Sequence, residues 1–87
     1  MNDDELIAGV EKTIVLMDGL TNKATNGDVN VKWLNLTETM ITAAMVEHTF
    51  LVHPRFTDEL KAAIVRLDIA TRACLEAVVK RRNMKAN

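Results

Sequence analysis

The sequence predicts an all-α fold, a three-helix bundle with helices over about residues 3–18, 31–52 and 58–82, expected to assemble as a helical homodimer. Three observations predict it. Apolar residues recur every three to four positions along each stretch, which is the period of one helix face. The residues between the stretches are helix caps and breakers: Asn30, Thr57 and the pair His53-Pro54. The 48% hydrophobic content is aliphatic and Met-rich, with only Trp33, Phe50 and Phe56 aromatic, a composition suited to helices. No repeat, low-complexity tract or linker divides residues 1–87, which read as one domain. A chain of this length buries only roughly 60–65% of the surface it exposes when unfolded, so its stability is expected to be marginal.

The first helix is expected to be capped by Asn2, with Glu5 placed to complete a capping box. Leu6, Val10, Met17 and Leu20 fall on one side, flanked by Ile7 and Ile14, while Glu11, Lys12 and Asp18 face outward with Val15 among them. Gly19 can take the left-handed conformation that closes a helix. Residues 21–30 then read as a polar loop around the Asn26-Gly27 turn signal. Asn-Gly also suits a hairpin, but the flanking residues do not alternate as strands do. Ten residues exceed the ordinary connection length, which makes this segment a candidate contact loop.

The second helix has two candidate caps, Asn30, or Asn35 with Glu38 as its capping-box partner. Leu34, Ile41, Ala44, Met45, Leu51 and Val52 form a wide stripe, extended by Trp33 and Met40. Leu36, Ala43 and Phe50 make a second row at heptad spacing, and Val46 lies further round. The apolar arc thus exceeds the ~100° that a surface helix needs. Pro54 ends this helix, Thr57 caps the third, and Asp58 and Glu59 suit its first turn.

Along the third helix Leu60, Ala63, Ile64, Leu67, Ala70, Cys74 and Val78 form the core stripe, with Leu75 and Ala77 at its edges. Val65, Ile69 and Ala73 make a narrow stripe on the opposite side, among Lys61, Arg72, Glu76 and Lys80. With so few aromatics, Met17, Met40 and Met45 are expected to fill the core.

Little in the chain suggests catalysis. It contains no Ser, so a Ser nucleophile is excluded. Cys74 sits on an apolar stripe, where a thiol is expected to be a packed core group. His48 and His53 are five residues apart, whereas helical zinc ligands stand three or four apart. Asp3/Asp4 and Asp58/Glu59 lie in first turns, where they complement the helix dipole. Gly9, Gly19 and Gly27 make no phosphate-binding fingerprint. The expectation is a protein that is not an enzyme, with no cofactor, metal or small-molecule substrate.

No stretch has the ~18 apolar residues of a membrane span. The first residues are acidic, the reverse of a signal peptide, and a lone Cys makes no internal disulfide. A soluble protein of the cytoplasm is expected (the host cytoplasm if it is phage-encoded), with no membrane partner.

Net charge is −1 but unevenly spread: residues 1–30 carry six acids and two bases, and residues 61–87 carry seven bases and two acids. Helix-dipole compensation accounts for much of this. Lys80, Arg81, Arg82 and Lys85 are nevertheless candidate anion-binding residues, for nucleic acid or an acidic protein surface, although no aromatic is interleaved for base stacking.

Rows of apolar residues on outward faces point to association. The expected contact residues are Leu36, Ala43, Phe50, Val65, Ile69 and Arg72, and the expected partners are a second copy and another protein. The leading expectation is a small interaction module that binds and modulates, or inhibits, a protein partner. The size fits a phage or mobile-element inhibitor, though no residue carries that reading. The alternative is a small nucleic-acid-binding regulator using the basic end of the third helix.

Overall fold

The computed structural model describes residues 3–51 and 55–86, with the backbone alone for residues 47–51, 85 and 86. It contains three helices: α1 (Asp3–Asn26), α2 (Val31–Leu51) and α3 (Asp58–Ala86). The fold is the three-helix bundle that the sequence predicts. The expected caps at Asn2 and the break at His53-Pro54 lie outside the described residues.

α1 is a full two turns longer than expected. It does not stop at Gly19 but continues to Asn26, and the expected ten-residue loop shrinks to residues 27–30. A glycine inside a helix costs only about 1 kcal/mol relative to alanine. Packing offsets that cost: Ala24 is fully buried, and Leu20 packs on the core. The helix ends instead at Gly27, whose N–H donates to Lys23 O at 2.8 Å. Beyond that turn the last carbonyls have no helical partner. The Arg81 side chain supplies one: its Nε donates to Ala24 O at 2.9 Å, and its Nη2 donates to Thr25 O at 3.1 Å and Gly27 O at 3.2 Å. A cation placed there also complements the negative end of the helix dipole.

α2 starts from Asn30, which settles the choice of cap. Asn30 Oδ1 accepts from the Trp33 N–H at 2.7 Å, and Asn30 O accepts from Leu34 N–H at 3.1 Å. Val29 before the cap and Leu34 in the first turn are both buried in one cluster, the arrangement of a hydrophobic staple. Glu38 therefore serves no capping box at Asn35; it ion-pairs with Arg82. Thr57 caps α3 as expected, with Oγ1 accepting from Leu60 N–H at 3.3 Å. α3 extends to Ala86, four residues past the expected Arg82.

α3 packs closely along both other helices, while α1 and α2 approach each other less closely. Glu11 contacts Arg66 near one end of α1, and Ala24 contacts Arg81 near the other, so α1 runs parallel to α3. α2 returns antiparallel, bringing Glu38 to Arg82. The molecule is a rod of 47 × 20 × 17 Å, with its length set by the ~43 Å of α3.

The buried core contains Met17, Ala24, Val29, Leu34, Ile41, Leu60, Ala63, Ile64, Leu67, Cys74 and Val78. Ala70, expected in the stripe of α3, is half-buried. Met40, expected to fill the core, is 68% exposed, because it stands on the side of α2 that neither helix covers. Thr71, which the apolar pattern passed over, is fully buried on the α3 stripe. Its hydroxyl donates to Leu67 O at 2.7 Å, so it enters the core with its polar atom satisfied.

The three glycines give opposite predictions. A Cβ at Gly27 would stand 2.5 Å from Lys23 O, a backbone atom that cannot swing aside, whereas Gly9 and Gly19 face open space. Gly27→Ala is expected to destabilise the fold by roughly 1–3 kcal/mol. Gly9→Ala and Gly19→Ala are each expected to stabilise it by roughly 0.4–1 kcal/mol. Urea denaturation of the three variants checks both signs.

Candidate interaction surface

Which apolar residues remain outside is decided by how α1 and α2 share α3. α2 turns Leu34 and Ile41 toward the core, which leaves Leu36 and Ala43 on its far side. Leu36 is 57% exposed and Ala43 is exposed; the Phe50 side chain lies outside the described set. α3 turns Leu67, Thr71 and Cys74 inward, and Val65 and Ile69, nearly opposite, are 57% and 62% exposed. Ala73 is exposed beside them. Arg72 is exposed too, with its Nε donating to Asp68 Oδ2 at 2.9 Å. The expected contact residues with described side chains are thus at the surface. They do not form one patch, however: the α2 row points away from α3, and the α3 row points away from both other helices.

A third apolar surface was not expected. Lys23 Nζ of α1 lies 5.1 Å from the centre of the Trp33 ring on α2, so these two residues meet across the space between the helices. One heptad from each stand Leu16 and Met40. Seven residues return to nearly the same side of a helix, so Leu16 and Met40 belong to the same two sides. The helices run antiparallel, and equal steps from the contact keep the two residues level. They are 59% and 68% exposed. Between them Leu20, Trp33 and Ala44 are half-buried against the core. On the side turned from α3, Leu16 of α1 and Met40 of α2 thus stay exposed beside these half-buried residues. Sequence reading missed this by placing Met40 in the core and leaving Leu16 unassigned. The available signal was that Leu16 lies on neither the inward nor the polar side of α1.

The basic end of α3 is largely engaged within the chain. Arg81 closes α1 through three carbonyls, and Arg82 pairs with Glu38, both side chains about a third exposed or less. Lys80 is exposed, and the side chain of Lys85 is outside the described set. An open groove of about 440 Å³ runs between the end of α1 and α3, lined by Ala24, Thr25, Ala73, Glu76, Ala77, Lys80, Arg81 and Met84.

Cys74 is fully buried, as expected of a packed thiol. Burial pushes its pKa up; the Thr21 hydroxyl opposes that shift, and the Asp18 carboxylate adds to it. Among the described residues no group of three His, Cys, Asp or Glu side chains is placed to hold a metal ion. Among them, too, no helix is long and apolar enough to cross a membrane. The side chains of His48 and His53 lie outside the described set. The chain matches no family model, none of the curated proteins compared with it and no solved structure.

The raised thiol pKa makes stability depend on pH. As pH rises through the ordinary thiol range near ~8.5, the unfolded thiol ionises while the folded one keeps its proton. The unfolded state gains, so this contribution is intact below that range and is lost above it. Denaturant midpoints measured from neutral to alkaline pH should fall more steeply for wild type than for Cys74→Ala. Thiol-specific alkylation at neutral pH should proceed only as fast as the fold opens.

Proposed function

We propose that this chain is a small non-enzymatic interaction module that binds a protein partner through exposed apolar helix faces and thereby modulates it. The observation that carries the reading is the α3 face: Val65 and Ile69, one turn apart, stand 57% and 62% exposed on the side turned from both other helices. Lone exposed apolar residues are ordinary, but rows at helical spacing are less so. Leu36 and Ala43 repeat the pattern on α2. Burying such side chains yields about 25 cal/mol per Å² of apolar area, and charge chiefly sets orientation and encounter rate.

The use of Arg81 and Arg82 within the chain favours this reading over nucleic-acid binding. A guanidinium that leaves carbonyls or a carboxylate to meet a phosphate gives up those bonds first. Binding to a protein partner should survive rising salt, whereas binding to DNA falls steeply with it.

Partner capture by the tagged chain, quantified at two salt concentrations, tests the reading. Ile69→Asp and Leu36→Asp should each weaken capture by roughly tenfold or more while leaving helix content unchanged, because both positions are exposed. Lys80→Gln should leave capture intact. Capture lost at high salt or in Lys80→Gln, and indifferent to Ile69→Asp and Leu36→Asp, overturns the proposal.

A further inference from the structure

We infer that the outer face of α2 is the part of this module that enters its protein partner, and that the partner supplies an apolar groove with an uncharged floor. The inference rests on the reading of the chain as an interaction module and names the chemistry of what it binds.

Charge singles out this face. From Trp33 to Val46 no exposed side chain of α2 is charged. The face offers Leu36, Met40, Ala43 and Val46, with Thr39 and Thr42 between them and Asn35 at the edge. Glu38, the one charged residue of that stretch, is turned to Arg82. The exposed sides of the other helices differ: α1 carries Glu11, Lys12 and Asp18, and α3 carries Arg66, Arg72 and Glu76. The two threonines are also prepared for the loss of water. Thr39 Oγ1 donates to Asn35 O at 3.0 Å, and Thr42 Oγ1 donates to Glu38 O at 2.8 Å. A hydroxyl that donates to its own helix asks no acceptor of a partner.

Width decides the shape of the occupant. At about 100° per residue the exposed arc runs from Thr42 through Leu36 to Met40, roughly 160° in all. A helix laid along α2 takes a stripe of roughly 100°. Along residues 31–46, about 24 Å of helix, such a stripe buries roughly 600 Å² on the two partners together. A specific interface needs about 1,000 Å². A groove that takes the whole arc reaches roughly that figure.

This chain does not itself supply the groove. Its own groove between the end of α1 and α3 is lined by Glu76, Lys80 and Arg81, which an uncharged face would leave buried without partners. Two α2 faces laid together cover only the narrow stripe. Nucleic acid finds no cation along the face. A second protein with a concave apolar site meets both requirements. Leu36, Thr39, Met40 and Ala43 then stand at the i, i+3, i+4 and i+7 positions of a helix lying in a groove.

Photo-crosslinking of the full chain tests this. A benzophenone-bearing residue replaces Leu36, Met40 or Val46 in turn, and each chain is irradiated in an extract of its native cells. All three should crosslink the same protein. Met40 and Val46 lie near opposite edges of the arc, so their crosslinks should map to two different apolar segments of that protein. The same probe at Val15, 71% exposed on α1, should not crosslink it. Capture by the tagged chain gives a second measurement. Thr39→Val should hold or raise capture, whereas Thr39→Asp, similar in size, should lower it roughly tenfold or more with helix content unchanged.

Silent probes at all three α2 positions overturn the inference; where capture persists and is lost in Ile69→Asp, the module reading stands without it. Crosslinks that map to charged segments, or capture lost in Thr39→Val, overturn it too. So does self-association that Leu36→Glu abolishes, or binding of the chain to neutral phosphatidylcholine vesicles, since either gives the face to another occupant.

Discussion

Two helices depend on one rod. Among the described residues α1 and α2 both pack closely along α3 and approach each other less closely; Met17 and Ala24 of α1, Leu34 and Ile41 of α2, and Cys74 and Val78 of α3 share one buried cluster. A helix that serves two neighbours needs a wide inward arc, and α3 provides it with small and medium side chains: Ala63, Ile64, Leu67, Thr71, Cys74 and Val78. Large residues there would push the flanking helices away. Thr71 fits because its hydroxyl donates to Leu67 O within α3, and Cys74 fits as a small, protonated thiol. The architecture follows from this sharing: each flanking helix covers part of α3, and the sides of α1 and α2 that would close a tighter triangle stay apart. The apolar residues left outside are thus those on the sides of the helices turned from the shared core.

Polar groups fasten the same arrangement at one end. The last carbonyls of α1 are the groups a helix end most needs to satisfy, and they are met by a side chain 57 residues away in the case of Ala24. Next to it, Arg82 reaches across to Glu38 of α2. Two consecutive arginines on one turn of α3 therefore point to different neighbours, and together they hold both flanking helices at the end where the short connection joins them. The surplus of basic residues late in the sequence is in part this fastening. Exposed pairs elsewhere, Arg66 with Glu11 and Arg72 with Asp68, contribute far less because water competes for both partners.

The helix count and the inward stripe of α3 were legible because periodicity is local and strong there: Leu60, Leu67, Cys74 and Val78 recur at helical spacing with a cap before them. The end of α1 was not legible. Gly19 and Gly27 are equally good stop signals by residue type, and the choice between them is made by the burial of Ala24 and by Arg81, neither of which a local window contains. Met40 failed for a related reason. Hydropathy says that a methionine prefers the interior, but which arc of α2 is interior depends on where α1 lies, and α1 lies further off than a tight bundle would place it. The outward rows of α2 and α3 could be read because they are defined by their opposition to a strong stripe. The exposure of Leu16 and Met40 side by side could not be read, since it follows only once the placement of both helices is known.

The parallel course of α1 and α3 also bears on how the fold is reached. Contacts such as Glu11 with Arg66 and Ala24 with Arg81 close loops of 55 and 57 residues, unusually long for so small a helical protein, whose contacts are ordinarily local. Most of the close packing of α1, and the Arg81 bonds to its last carbonyls, come only with α3. During synthesis α1 therefore emerges well before the helix on which it packs most closely. Assembly of the described core consequently requires α3, which gathers the two helices that precede it.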